Sequence, residues 1–294
     1  MPIIAPALRM FAPELWGEVD KFRHFYATTY RFDERAARAV RGVEAHFIKY
    51  QRLTALAEKL RPNLRIDEAQ LDERGFTPAD NAGELATVIE AAILELYSSI
   101  DCTVKVLRAI YGATTRGFKD STRSLFQGAD KLTGDFPDAL KPLFVNASWY
   151  PELRLLRDEL THLATGIVRR DATNGPVSYI HFGLKPGGEP LEIADVFGWL
   201  ETMAGHVNAF LGAVFQLLNV TLKDTPIMEP CGMVEGRILM RQLSPASQIT
   251  FDSGTCMSRT WFDRPENPTC PFKGHCGAYG RSPSPDTPAT VQTE

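Results

Sequence analysis

From Asp80 to Tyr111, apolar residues return at the spacing of one helical face. Val88, Ala92, Leu96, Ile100, Val104 and Leu107 make a stripe nearly the length of this segment. Asp80 or Asn81 starts the helix, with Glu84 placed to assist the cap. Tyr111-Gly112 ends it, and Ser98-Ser99 marks a place for a kink. An apolar stripe this long needs other helices to cover it. Three more helical patterns are available. One runs from Asp33, a suitable N-cap, through Ala36, Ala37, Val40, Val43, Phe47 and Tyr50 to Leu60, and Pro62 stops it. Another begins near Pro151 and extends to Arg170. The last covers Pro190 to Leu222. The fold class is therefore mainly α.

The intervening segments read differently. Residues 61–79 carry Pro62, Gly75 and Pro78 and form a connector. Residues 113–137 are polar and hold one short helix at 120–127. Val177-Ser178-Tyr179-Ile180-His181-Phe182, bounded by Gly and Pro, is a short strand or hairpin arm. Residues 226–280 are loop-rich, with strands expected at 236–242 and 247–251. From Arg281 onward Ser, Pro and Thr dominate, which predicts a disordered tail. The expected organisation is an N-terminal helical region (1–79), a helical bundle (80–225), an irregular cysteine-bearing segment (226–280) and the tail (281–294).

The net charge of -4 excludes wholesale attraction to nucleic acid, so any such contact needs a local basic patch. No apolar run is long enough for a membrane span. Met1 to Trp16 is broken by Pro2, Pro6 and Pro13 and does not read as a signal peptide. Five cysteines, an odd number, fit a reducing cytoplasm better than a disulfide scaffold.

The third helix carries Arg157-Asp158-Glu159-Leu160-Thr161-His162. On a helical wheel Leu153, Leu156, Leu160, Leu163 and Ile167 share one stripe, while Arg154, Arg157, Asp158, Thr161 and His162 occupy the opposite arc. Asp158 lies one turn before His162 and is placed to hydrogen-bond its ring. A charged arc opposite a leucine stripe is also what any amphipathic surface helix shows. The string Arg157-Asp158-x3-His162, lying just before a short extended arm, resembles the signature of the HEPN superfamily. So does the facing segment Leu96-Tyr97-Ser98-Ser99-Ile100-Asp101. The resemblance spans residues 80–222.

That resemblance implies a helical bundle that dimerises and brings two such motifs into one cleft. It implies a metal-independent endoribonuclease of toxin–antitoxin or abortive-infection type, or a related module that binds nucleotide or protein without cutting. His162 would be the general acid/base, Arg157 the phosphate-binding group and Asp158 the supporting polar residue. Asp101 would face them from the neighbouring helix. Such chemistry is coherent. An imidazole takes the ribose 2'-hydroxyl proton and a guanidinium steadies the phosphate, leaving a 2',3'-cyclic phosphate. RNA, a second copy of the chain and an antitoxin protein are the partners implied. Arg154, Arg169, Arg170, Arg116, Lys119 and Arg123 would extend a basic track, which Glu159 opposes.

Other patterns compete. Glu159-x-x-His162 fits half of a di-iron carboxylate site, but Glu201 and His206 have the wrong spacing for the second half, leaving Glu90 and Glu95 as bridging candidates. Cys231, Cys256, Cys270 and Cys276 supply four thiols, a possible tetrahedral zinc set, with free thiols as the competing reading. Cys270-Pro271-x4-Cys276 resembles the last half of a glycosylase-type iron–sulfur loop, whose first half is missing. His24, His46, His181 and His206 carry no motif. There is no phosphate-binding glycine loop or nucleophile elbow.

Overall fold

Two long helices, Glu34–Leu60 and Asp80–Tyr111, pack along one another. Leu85, Ile89, Ile93, Leu96, Ile100 and Leu107 of the second are fully buried, as are Val40 and Val43 of the first. The computed structural model describes residues 8–12, 14–170 and 175–281, and it is mainly helical with small antiparallel sheets. Among the described residues no helix is long and apolar enough to cross a membrane.

The chain divides into two compact units, Phe32–Leu217 and Met1–Arg31 with Leu218–Glu294. The 34–60 helix falls in the same compact unit as the 80–111 helix and packs along it. The expected tail lies, from residue 282 on, outside the described residues.

In the helical unit, the Asp33 carboxylate caps its helix by accepting from the Ala36 N–H at 2.7 Å. The connector expected over 61–79 contains a helix, Leu64–Arg74, closed by Gly75 in the left-handed conformation. This helix has a structural task. The long helix Asp80–Tyr111 has no capping side chain at its own N-cap, where Ala79 adopts φ 57°. Asp67 provides the cap instead, accepting from the Ala82 N–H at 2.8 Å and the Asn81 side-chain amide at 2.6 Å. The long helix runs unbroken through Ser98-Ser99, whose hydroxyls donate to Leu94 and Leu96 carbonyls of the preceding turn. Glu95 joins the two long helices, accepting from His46 at 2.6 Å and Lys49 at 2.5 Å.

The third helix is shorter than expected. It spans Tyr150–His162, and Ile167–Arg170 is a strand. That strand pairs with Val177–His181, which also pairs with Leu191–Ile193, making a three-stranded antiparallel sheet. The wheel's leucine stripe therefore ends early. Leu153 and Leu156 are fully buried, but Leu163 is 78% exposed and Ile167 46%. Helix Val196–Asn219 completes the bundle.

The second unit is built on a four-stranded sheet with Leu8–Met10, Ile227–Val234, Arg237–Leu243 and Thr255–Cys256 in that order. The strand expected at 236–242 is present. The one expected at 247–251 is reduced to a single bridge between Thr250 and Leu15. Glu235 and Gly236, both with positive φ, form the two-residue turn of the central hairpin.

Asp67 is 7% exposed, and its loss leaves two N–H groups of the long helix unpaired. Asp67→Ala is expected to destabilise the protein by about 1–2 kcal/mol. Urea unfolding followed by helical circular dichroism checks this, and an unchanged midpoint would show that the cap contributes nothing.

Candidate functional site

Arg157 and His162 stand five residues apart on one helix, so they point about 140° away from each other. The structure keeps them apart accordingly. Arg157 is half-buried and turned toward the long helix, where its guanidinium lies 4.7 Å from the Tyr97 ring centre. Its Nη2 is 3.4 Å from Asp101 Oδ2, and its Nη1 donates to Asp158 Oδ1 at 3.0 Å. The burial of Arg157 disfavours its charge, but Asp158 and Asp101 more than compensate and hold its pKa above the usual value. Asp158 does not orient His162 as the sequence suggests. It binds Arg154 at 2.7 Å as well as Arg157. His162 is the last residue of the helix and is exposed.

Arg154, Arg157 and Asp158 line a cleft of ≈ 400 Å³ with Asp101, Tyr97 and Thr122. Thr122 donates to Asp101 at 2.5 Å, which holds that carboxylate in place. Arg35, Lys105 and Arg123 add positive charge and Asp120 adds negative, so five cations face three carboxylates. His162 does not line this cleft. Of the basic track expected from sequence, Arg154 and Arg123 are in place. Arg170 is withdrawn into a two-pronged ion pair with Glu68, at 2.9 and 2.6 Å, and Arg169 lies near Glu192. Arg116 and Lys119 are not among the cleft residues. Arg35 and Lys105 were not singled out in the sequence. Their only signal is position on the polar faces of the two long helices.

The di-iron alternative is not assembled. Glu90 is buried and accepts from the Gly166 N–H at 2.6 Å and the Tyr179 hydroxyl at 2.8 Å. Glu95 is occupied by His46 and Lys49, and the His206 ring is parallel to Trp149. His181 is fully buried, with Nε2 against the Ala164 carbonyl and Nδ1 accepting from the Leu184 N–H. That pattern defines one neutral tautomer with a structural task.

Cys231, Cys256, Cys270 and Cys276 all line one cavity of ≈ 30 Å³ in the second unit, and none forms a disulfide. Cys231 reaches it through a bulge. Pro230 pairs with Met240 and Gly232 with Leu239, so Cys231 is the extra residue. Burial pushes the thiols of Cys231, Cys256 and Cys270 up. Among the described residues no group of three or more His, Cys, Asp or Glu is arranged to hold a single metal ion. The fifth cysteine, Cys102, is buried in the long helix and lies outside this cavity.

Compared with known proteins, the chain matches no family model, no curated protein and no solved structure.

The arm behind the motif helix is fixed by Glu90. Gly166 sits against the Tyr179 ring, where an added Cβ would lie 2.3 Å from a ring carbon. Tyr179→Phe removes one of the two donors to a buried carboxylate and is expected to cost about 1–2 kcal/mol. A thermal unfolding curve that matches wild type would show that Glu90 is satisfied without Tyr179.

Proposed function

We propose that residues 32–217 form a HEPN-like module that binds RNA through its phosphodiester backbone at the Arg157 cleft. One observation carries the reading. Arg154 and Arg157 share a single carboxylate, Asp158, in a cleft where cations exceed acids by five to three. An incoming phosphate meets guanidinium groups already held in position by Asp101, Asp158 and Tyr97. It replaces part of their carboxylate pairing with its own oxygens. The net charge of the whole chain is negative, so attraction is confined to this patch.

Cleavage is a second reading, favoured by the exposure of His162 on the motif helix. Within one chain His162 does not line the cleft that holds Arg157. A homodimer would have to bring one chain's His162 to the other's cleft. In that arrangement His162 takes the 2'-hydroxyl proton, Arg157 steadies the phosphate, and no metal is needed.

Fluorescence anisotropy with single-stranded RNA separates the two. Arg157→Ala is expected to weaken binding roughly tenfold, in keeping with loss of a charge-assisted contact. Asp158→Asn is expected to strengthen binding, because it releases Arg154 and Arg157 and removes one repelling charge. His162→Ala should bind like wild type. If wild type cuts RNA in EDTA and His162→Ala does not, the second reading holds. If Arg157→Ala binds RNA as wild type does, the cleft reading fails.

A further inference from the structure

Four cysteines separated by as many as 45 positions, from Cys231 to Cys276, arrive at one cavity. They come from a strand bulge, a second strand and the two ends of the turn at 271–275. Much of the rest of the wall is apolar, including Leu239, Phe262 and Phe272. Such a wall serves water poorly, since a buried water needs two to four polar partners.

One lining residue does not suit an apolar cavity at all. Arg241 is 2% exposed, and no described carboxylate pairs with it. Its Nη1 donates to the Phe251 and Ser253 carbonyls at 2.8 and 3.2 Å. Its Nη2 is 3.9 Å from Cys276 Sγ, and its buried Nε has no partner. A buried guanidinium without a carboxylate calls for another source of negative charge. The four cysteine sulfurs line the same wall.

The guanidinium also reaches the sulfurs. Arg241 donates to Cys276 and lines the cavity beside Cys231. Cys231, Cys256 and Cys270 line the same wall as this Arg241–Cys276 pair.

From this geometry we infer that the cavity binds an iron–sulfur cluster, ligated by Cys231, Cys256, Cys270 and Cys276, with Arg241 as its buried counter-charge. Four thiolates are the usual ligand set of such clusters, and hydrogen bonds to sulfur tune their potentials. The cysteines surround a volume. A lone zinc ion instead draws its four sulfurs to about 2.3 Å from one point. On ligation each thiol releases its proton, and Arg241 balances part of the charge left behind.

The test uses the full chain, purified without oxygen and then reconstituted with ferric iron, sulfide and a thiol that reduces part of the iron. Iron and acid-labile sulfide are expected in equal amounts, about two or four of each per chain according to cluster type. A visible absorption that dithionite bleaches should accompany them. Cys256→Ser and Cys276→Ser should lose most of the iron, while Cys102→Ser keeps it. Arg241→Lys should retain the cluster. Arg241→Met should lower its midpoint potential, because the reduced cluster is the more negative form and loses a stabilising cation. One zinc per chain without iron, or protein that stays colourless and metal-free after reconstitution, overturns the proposal. A midpoint potential unchanged in Arg241→Met overturns the counter-charge role. Both metal results come from wild-type protein, so they do not depend on whether a variant folds.

Discussion

The helical unit depends on the burial of one helix. Asp80–Tyr111 has 32 residues, a length of about 48 Å, and its apolar side chains are closed off from water along most of that length. A rod so thoroughly packed cannot turn without exposing its core, and its polar residues are therefore fixed in direction. Glu90, Tyr97 and Asp101 follow one another at intervals of seven and four residues, which keeps them within about 20° of a single line. All three engage the motif helix or the arm that follows it. Glu90 holds Gly166 and Tyr179, while Tyr97 and Asp101 hold Arg157. Glu95 points about 140° away from Glu90 and ties down His46 and Lys49 of the other long helix. One apolar stripe thus decides where several charges stand.

The parts of the fold that were legible are those where local pattern and tertiary packing agree. Asp33 caps the helix it was expected to cap, and the 80–111 helix has the expected bounds. The segment around Val177 is extended, as its β-branched and aromatic character suggests. What escaped depends on residues far away in sequence. The helix at Leu64–Arg74 buries only Leu64 and Asp67, so its periodicity was faint. Its reason for existing is a cap for another helix. Ile167–Arg170 looked like a continuation of Tyr150–His162, because Leu163 and Ile167 fit the wheel. The chain turns away instead where Gly166 meets the Tyr179 ring and the Glu90 carboxylate. Strand Ile227–Val234 was hidden by Pro230 and Gly232, which read as loop residues and in fact flank a bulge.

The same split applies to the site residues. The placement of Asp101 opposite Arg157 is what the family resemblance implies, since the periodicity of each helix alone does not set which residues of two helices meet. The separation of Arg157 from His162 follows from helical rotation alone, since five residues do not bring side chains onto one line. A shared polar arc is wide enough to contain both without bringing them together. The convergence of the cysteines had no such local signal. Cys231 and Cys256 lie at no familiar ligand spacing, and only the sheet order brings their strands next to Arg237–Leu243.

The two sites handle positive charge in opposite ways, and that difference separates their chemistry. In the cleft, Arg154 and Arg157 are partly open to water and already paired with Asp158 and Asp101. An anionic ligand there would exchange one anionic partner for another, so its binding would be reversible and weakened by salt. In the cysteine cavity, Arg241 is sealed from water and has carbonyls and sulfur for partners. Salt cannot screen a group so deeply placed, and bulk ions cannot substitute for a missing partner. Compensation has to be built in covalently, through coordinated sulfur, or the guanidinium remains a standing cost to folding. A solvated cleft of paired arginines suits a ligand that comes and goes. A sealed arginine among four sulfurs suits a group that is installed once and stays.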